Sequence, residues 1–188
     1  TVPSLERGVR LFRPDVLMIG ATGRNAGKTE LLCRLIRNHA ARMPIVALKV
    51  TTVVHAEGSC PHGGEGCGTC SSLGEPWCVT RELDAASDKD TSRLLRSGAR
   101  EAWWLRVHEE ALADAAAGLL SHVPADWASV CESNRLRRVV EPGLFLQVRS
   151  ATDRTVKESA RSVAHLADRI VVSDGTSFDL DLERVSVL

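Results

Sequence analysis

Short apolar runs alternate with amphipathic segments along most of this 188-residue chain. The apolar runs are compact and rich in β-branched residues, which predicts buried strands at residues 15–20, 45–50, 101–107, 127–132, 144–148 and 169–172. Between them, apolar positions recur with helical spacing, and we expect helices at residues 27–42, 88–98, 109–121 and 156–167. Strands that alternate with helices indicate an α/β fold with a doubly wound, mainly parallel sheet.

Three stretches depart from this alternation. Residues 4–13 suggest a short amphipathic helix or arm, and the tail from Phe178 alternates weakly, as an edge strand would. Periodicity disappears at residues 51–80, where glycine and cysteine dominate. A long irregular segment in a compact domain needs something to organise it. We therefore expect one domain over residues 1–188 that carries a Cys-rich insert at residues 51–80.

Charge and composition narrow the class of protein. Lysine and arginine together number 24, as do aspartate and glutamate, so the formal net charge is zero and favours neither a nucleic-acid nor a membrane partner. No apolar run approaches the roughly 18 residues that a membrane span needs, and the first residues lack the basic-then-apolar pattern of a signal peptide. These features predict a cytoplasmic protein.

The first predicted strand leads into a loop of small residues, Gly20-Ala-Thr-Gly-Arg-Asn-Ala-Gly-Lys-Thr29, and then into a helical pattern. That order is typical of a P-loop, whose backbone N–H groups wrap phosphate oxygens at a helix N-terminus. Lys28 would reach the β- and γ-phosphates, and the Thr29 hydroxyl would bind Mg²⁺. The strict pattern has glycine where Thr22 stands. The predicted nucleotide-binding residues are Gly23, Arg24, Asn25, Ala26, Gly27, Lys28, Thr29 and Glu30.

Mg²⁺ at a P-loop usually has an acidic partner at the end of a neighbouring strand. Glu132 follows the apolar run 127–131, so we expect it to bind Mg²⁺ or orient water. Asp90 is a second candidate catalytic carboxylate, although it could instead cap the helix that follows it. Lys49 ends the second strand and could bind a phosphate or carboxylate, or extend to solvent.

The Cys-rich segment predicts a metal site. Cys60, Cys67, Cys70 and Cys78 include a Cys-x-x-Cys pair, and four thiolates commonly hold a structural Zn²⁺. His55 or His62 could replace one cysteine, and an iron–sulfur cluster is the alternative. Cys33 and Cys131 lie in apolar contexts and are predicted to be core residues.

Three segments together resemble the molybdopterin-guanine dinucleotide biosynthesis adaptor (B) family: Gly27-Lys-Thr-Glu-Leu-Leu32, Val46-Ala-Leu-Lys-Val-Thr-Thr52 and Asp88-Lys-Asp-Thr-Ser-Arg-Leu-Leu-Arg-Ser-Gly98. The resemblance covers roughly residues 15–135 and implies a GTP-binding, dimeric helper in molybdenum-cofactor maturation. In addition, Cys60-Pro-His62 and Val130-Cys-Glu-Ser133 are similar to motifs of urease-accessory-type GTPases, in which the nucleotide controls metal delivery. An Asn-Lys-x-Asp guanine-reading motif is missing near Asp174, so the choice between ATP and GTP stays open.

These patterns lead to one favoured function and two alternatives. The favoured one is a nucleotide-hydrolysing accessory protein for metallo-cofactor maturation, whose partner would be a maturation enzyme and which could form a homodimer. The first alternative is a small-molecule kinase or ATP-dependent ligase in which Lys49, Asp90 or Arg149 holds the acceptor. The second is a non-catalytic nucleotide-binding adaptor that recruits a partner through its zinc module.

Overall fold

The computed structural model describes residues 10–53 and 73–185. Seven strands form one sheet in the order β3-β4-β2-β5-β1-β6-β7, and every neighbouring pair is parallel except β3 with β4. The strands are β1 (Leu11–Ala21), β2 (Ile45–Val53), β3 (Trp77–Arg81), β4 (Glu101–His108), β5 (Ala128–Glu132), β6 (Val140–Ser150) and β7 (Arg169–Ser173). The α-helices are α1 (Lys28–His39), α2 (Asp90–Arg96), α3 (Leu112–Leu120) and α4 (Glu158–Arg161). Short 3₁₀ helices cover Glu109–Ala111, Arg135–Arg138, Ala164–Leu166 and Leu182–Arg184.

Two hydrophobic cores cover the two faces of the sheet. Alternate side chains of a strand point to opposite faces, and β1 shows this directly. Leu17 and Ile19 pack in the core that contains the leucines of α1 and Leu94 of α2, whereas Val16 and Met18 pack in the core that contains α3. The fold is therefore α/β with a mainly parallel sheet, an arrangement compatible with three layers.

The connections around β1 create a crevice at its carboxyl end. From β1 the chain passes through α1 to β2, while β5 inserts between these two strands and β6 pairs with the other side of β1. Ligands of open α/β sheets bind where the connections diverge in this way. The loop after β1 and the ends of β2 and β5 thus meet at one edge.

Most predicted elements are confirmed, but the ends of the Cys-rich segment and the N-terminal segment differ from expectation. Residues 11–13, predicted as part of a helix or arm, are the start of β1, and residues 1–9 lie outside the described part. The β-branched run Thr51–Val53 extends β2, and β3 at Trp77–Arg81 pairs antiparallel with β4. Both ends of the predicted insert therefore belong to the sheet.

Two predictions for the C-terminal part are wrong. The predicted helix at residues 156–167 consists of the four-residue α4 and a 3₁₀ turn, separated at Val163 by a non-helical backbone. The Gln147 side chain donates to the Ala160 carbonyl at 2.9 Å, and this bond fixes the short helix against β6. The predicted edge strand from Phe178 is reduced to one bridge with Ser173, followed by a 3₁₀ turn. Among the described helices, none is long and apolar enough to cross a membrane.

Candidate nucleotide-binding site

At the carboxyl edge of the sheet, the strand face that packs against α1 carries charged side chains in place of apolar ones. Ala47 of β2 and Val130 of β5 belong to that core. Two residues further on, the same face carries Lys49 and Glu132, which are direct neighbours in the β2–β5 register. The strand pattern therefore converts from apolar to charged at the point where the sheet meets the loop after β1.

The loop between β1 and α1 contains two residues with positive φ. Asn25 has φ 55°, and Gly27, which precedes α1, has φ 92°. Backbone in this conformation turns N–H groups toward a concavity that suits anions. Thr22 has a negative φ, unlike Asn25 and Gly27, so its backbone does not require the glycine that the strict motif has at this position. Thr22 is instead held by its N–H bond to the Val148 carbonyl at 2.9 Å.

Two residues of the predicted motif converge on Glu132. Lys28 Nζ lies 3.1 Å from Glu132 Oε1, and Thr29 Oγ1 donates to Glu132 Oε2 at 3.0 Å. The glutamate is only 5% exposed. A buried carboxylate needs such partners, and here they come from the first turn of α1. Glu132 is thus in direct contact with the motif 103 residues earlier in the sequence.

A cavity of about 850 Å³ opens above this cluster. All eight predicted nucleotide-binding residues line it, together with Asp90 and Glu132. Six further residues line it that were not predicted as site residues: Ala21, Thr52, Arg93, Arg135, Lys157 and Ser159. Arg135 could have been found, since it follows Glu132 by three residues in the same loop. Lys157 gave no local signal, because it enters the cavity through the loop after β6.

The strand-ending Lys49 pairs with Asp90, the first residue of α2. Lys89 occupies the N-cap position, and Asp90 makes no side-chain capping bond, so its position is explained by Lys49 rather than by helix capping. Burial raises the pKa of Asp90, but the hydrogen bond and charge of Lys49 outweigh it, and the net pKa is lowered. Asp90 is therefore a carboxylate at the edge of the cavity.

Glu30 has a different environment from the rest of the motif. Its carboxylate accepts from Arg34 Nε at 3.0 Å, Arg37 Nη2 at 3.2 Å and Arg93 Nη2 at 3.2 Å. The bond from Arg93 joins α1 to α2, whereas Arg34 and Arg37 belong to α1 itself. Glu30 lines the cavity, but its carboxylate is already occupied by three arginines.

Asn134 fastens the loop after β5 to the end of β1. Its Oδ1 accepts from the Ala21 N–H at 3.0 Å, and its Nδ2 donates to the Ala21 carbonyl at 2.9 Å. A Cβ on Gly20 would lie 2.0 Å from Asn134 Oδ1, which explains the glycine there. We call this pair of hydrogen bonds the Asn134 clasp. It holds the start of the loop between β1 and α1 against the strand that carries Glu132.

Asp174, which lies where a guanine-reading motif was expected, and Arg149, a candidate acceptor-binding residue, lie outside the cavity lining. Asp174, at the end of β7, accepts from the backbone N–H groups of Thr176 at 2.8 Å and Ser177 at 2.6 Å, and from both of their hydroxyls. The Ser177 hydroxyl and these other donors lower the pKa of Asp174. Its oxygens are thus engaged by their own turn. Arg149 is exposed in β6 and is not among the described residues that line the cavity.

The cysteine predictions divide between described and undescribed residues. Cys33 and Cys131 are buried in the two cores, as predicted, and burial raises the pKa of the Cys131 thiol. Cys60, Cys67 and Cys70, with His55 and His62, lie outside the described residues. Cys78 is half-buried in β3, where Arg106 Nη2 lies 3.6 Å from its sulfur. Within residues 10–53 and 73–185 there is no group of three or more His, Cys, Asp or Glu side chains placed to hold a metal ion.

The chain matches no protein-family profile, no curated protein and no solved structure. The functional proposal therefore depends on the residues of this site and their geometry.

Proposed function

We propose that this chain is a P-loop protein that binds a Mg²⁺–nucleoside triphosphate and hydrolyses it. One observation carries the proposal: the Lys28 ammonium and the Thr29 hydroxyl meet the buried Glu132 carboxylate at the mouth of an 850 Å³ cavity. The cation, the hydroxyl and the carboxylate are the groups that phosphoryl chemistry uses at a P-loop. The positive φ angles of Asn25 and Gly27 add backbone N–H groups for the phosphates.

The donor set fits Mg²⁺. Thr29 Oγ1 and Glu132 Oε2 are oxygens 3.0 Å apart, and oxygen is the ligand atom that Mg²⁺ prefers. When bound, the ion would neutralise charge on the β- and γ-phosphates. Lys28 would then bind phosphate oxygens instead of Glu132, and the freed glutamate would hold the ion or orient the attacking water. Arg24 and Lys157 contribute further positive charge around the same cavity.

We place this activity in metallo-cofactor maturation of the molybdenum type. The support is that Lys49 and Asp90, which belong to two separate motifs of that resemblance, form an ion pair beside the cavity. In this role nucleotide hydrolysis would time the handover of a cofactor to a partner enzyme, and the predicted zinc module would serve the same partner. Release of inorganic phosphate without any added acceptor is the expected behaviour, and strict dependence on an acceptor would contradict it.

Calorimetric titration of the purified protein with Mg²⁺ and non-hydrolysable ATP or GTP analogues tests the binding. Lys28→Met should weaken the tighter analogue about tenfold or more, because a charge-assisted contact to phosphate is lost. Lys89→Met is the matched control, since Lys89 is exposed and lies outside the cavity lining. Absence of binding by wild type, or equal affinities for the two variants, would overturn the proposal.

Hydrolysis is tested separately from binding. Glu132→Gln keeps the size of the side chain but removes its charge, so it should bind nucleotide and release phosphate at least about tenfold more slowly than wild type. A wild-type rate of phosphate release in this variant would remove Glu132 from the chemistry.

A further inference from the structure

A smaller cavity of about 280 Å³ shares part of its lining, including Glu132, with the nucleotide cavity. We call it the side cavity. Lys28, Glu132, Arg135 and Lys157 line both spaces, so a molecule in the side cavity would lie next to the proposed γ-phosphate position. Lys49 belongs to the lining of the side cavity but not to that of the larger one.

The described lining of the side cavity is strongly cationic. It contains the side chains of Lys28, Lys49, Arg135 and Lys157 but one carboxylate, that of Glu132. Glu132 is engaged by the first turn of α1. The acids that balance two of the cations are outside the described lining, because Lys49 pairs with Asp90 and Arg135 pairs with Glu109 at 2.6 Å. Both cations keep further N–H donors for a ligand.

Lys157 is the cation of this lining that forms no ion pair with a described residue, although the charge of Glu132 acts on it. Among the described residues, no carboxylate lies within ion-pair distance of its ammonium group, and no hydrogen bond is made by that group. Lys157 is exposed at the rim of the cavity, and the net pKa of its ammonium group is lowered because desolvation and the positive charges of Lys28 and Arg24 outweigh the opposing charge of Glu132. An anion at this point would offset the excess of positive charge around Lys157.

We propose that the side cavity binds a second, anionic small molecule beside the nucleotide, through Lys157, Arg135 and Lys49 of its lining. The ligand should carry a phosphate or carboxylate group because the lining is cationic. It should be a small metabolite, because 280 Å³ lies just below the range of roughly 300–1,000 Å³ typical of small-molecule pockets. The inference rests on the proposed function, in which the nucleotide fills the larger cavity and leaves this space open.

The test uses full-length protein saturated with Mg²⁺ and the non-hydrolysable nucleotide analogue, so that the phosphate-binding loop is already filled. Inorganic phosphate and succinate are titrated in separate calorimetric experiments, and the tighter of the two identifies the preferred anionic group. Saturable binding is expected. Lys157→Gln should weaken it about tenfold, whereas Lys89→Gln should not change it, because Lys89 lies outside the described linings of both cavities.

A second measurement locates the anion without a variant. Limited acetylation with acetic anhydride, followed by mass spectrometry, compares Lys157 with Lys89 in one sample of the nucleotide-saturated protein. Added phosphate or succinate should slow the acetylation of Lys157 severalfold and leave Lys89 unchanged. Equal rates with and without the anion would overturn the assignment.

Failure of the two proposals can be told apart. A protein that binds no nucleotide analogue refutes the proposed function, and the second ligand with it. Normal analogue binding without saturable binding of phosphate or succinate refutes the side-cavity proposal alone. The same holds if Lys157→Gln weakens the analogue as much as Lys28→Met does, since Lys157 would then serve the nucleotide.

Discussion

Replacing Gly20 by alanine adds only one methyl group, but it should disrupt the Asn134 clasp. The new Cβ would lie 2.0 Å from Asn134 Oδ1, too close for both atoms to keep their positions. The Asn134 amide must move, and it would then give up its bonds to the Ala21 N–H and carbonyl. Ala21 is 4% exposed, so water replaces those bonds poorly.

The magnitude follows from the two lost bonds. At about 1 kcal/mol each, Asn134→Ala should lower the free energy of unfolding by about 2 kcal/mol. Gly20→Ala should cost at least as much, roughly 2–4 kcal/mol, because overpacking adds to the broken bonds. In the double variant the amide is already absent. The new methyl group then meets mainly the Phe145 ring, whose Cε2 lies 3.2 Å away, so the total should stay near 2–3 kcal/mol.

Urea unfolding followed by circular dichroism measures all four proteins of this double-mutant cycle. The two single costs should sum to about 2 kcal/mol more than the cost of the double variant, because both changes break the same clasp. Additive costs would refute the reasoning, since they would mean that Gly20 and Asn134 act independently. Weaker binding of the nucleotide analogue in both single variants would also link the clasp to the phosphate-binding loop.

Three further predictions address the loop, the ion pair and the metal. Gly27→Ala should lower the free energy of unfolding by about 1–2 kcal/mol, measured in urea, because φ is 92° at this position; an unchanged midpoint would contradict it. Asp90→Asn should lower the free energy of unfolding by on the order of 1 kcal/mol at pH 7. The pKa of Asp90 is lowered in the folded state, so its stabilising effect is present above about pH 4 and is lost as the pH falls through the folded pKa. The gap between wild type and variant should therefore shrink below pH 4 in acid unfolding, and a constant gap would exclude the Lys49 pairing as its cause. Elemental analysis should find about one Zn²⁺ per chain, and the double variant Cys67→Ser, Cys70→Ser should lose it; equal zinc contents would refute the predicted ligand set.

The part of the site built from contiguous motifs could be predicted from the sequence. Lys28 and Thr29 follow directly from the loop and the start of α1, and Glu132 follows from its position at the end of an apolar strand. Parallel strands bring their carboxyl ends to one edge, and the structure places these three side chains in contact. The sequence left open whether Lys49 binds a phosphate or carboxylate or extends to solvent, and in the structure it pairs with Asp90.

The rest depended on contacts between distant segments. Lys157 follows an exposed stretch after β6 that carries no periodic signal, and its position is fixed by a backbone bond from its N–H to the Thr22 carbonyl at 2.8 Å. The helix predicted around it failed because apolar spacing does not show that Gln147 will bind the Ala160 carbonyl. The strand β3 was missed because antiparallel pairing with β4 organises a segment that has little periodicity of its own.

The ion pair between Lys28 and Glu132 would make the proposed nucleotide binding an exchange rather than a simple addition. An incoming phosphate would have to take Lys28 away from a carboxylate that is 5% exposed and would thereby lose its cationic partner. Mg²⁺ arriving with the proposed nucleotide would compensate for that loss. Metal and nucleotide should therefore act as reciprocal effectors, each raising the affinity of the other by the same factor. The glutamate would serve as an internal competitor that discriminates against metal-free nucleotide.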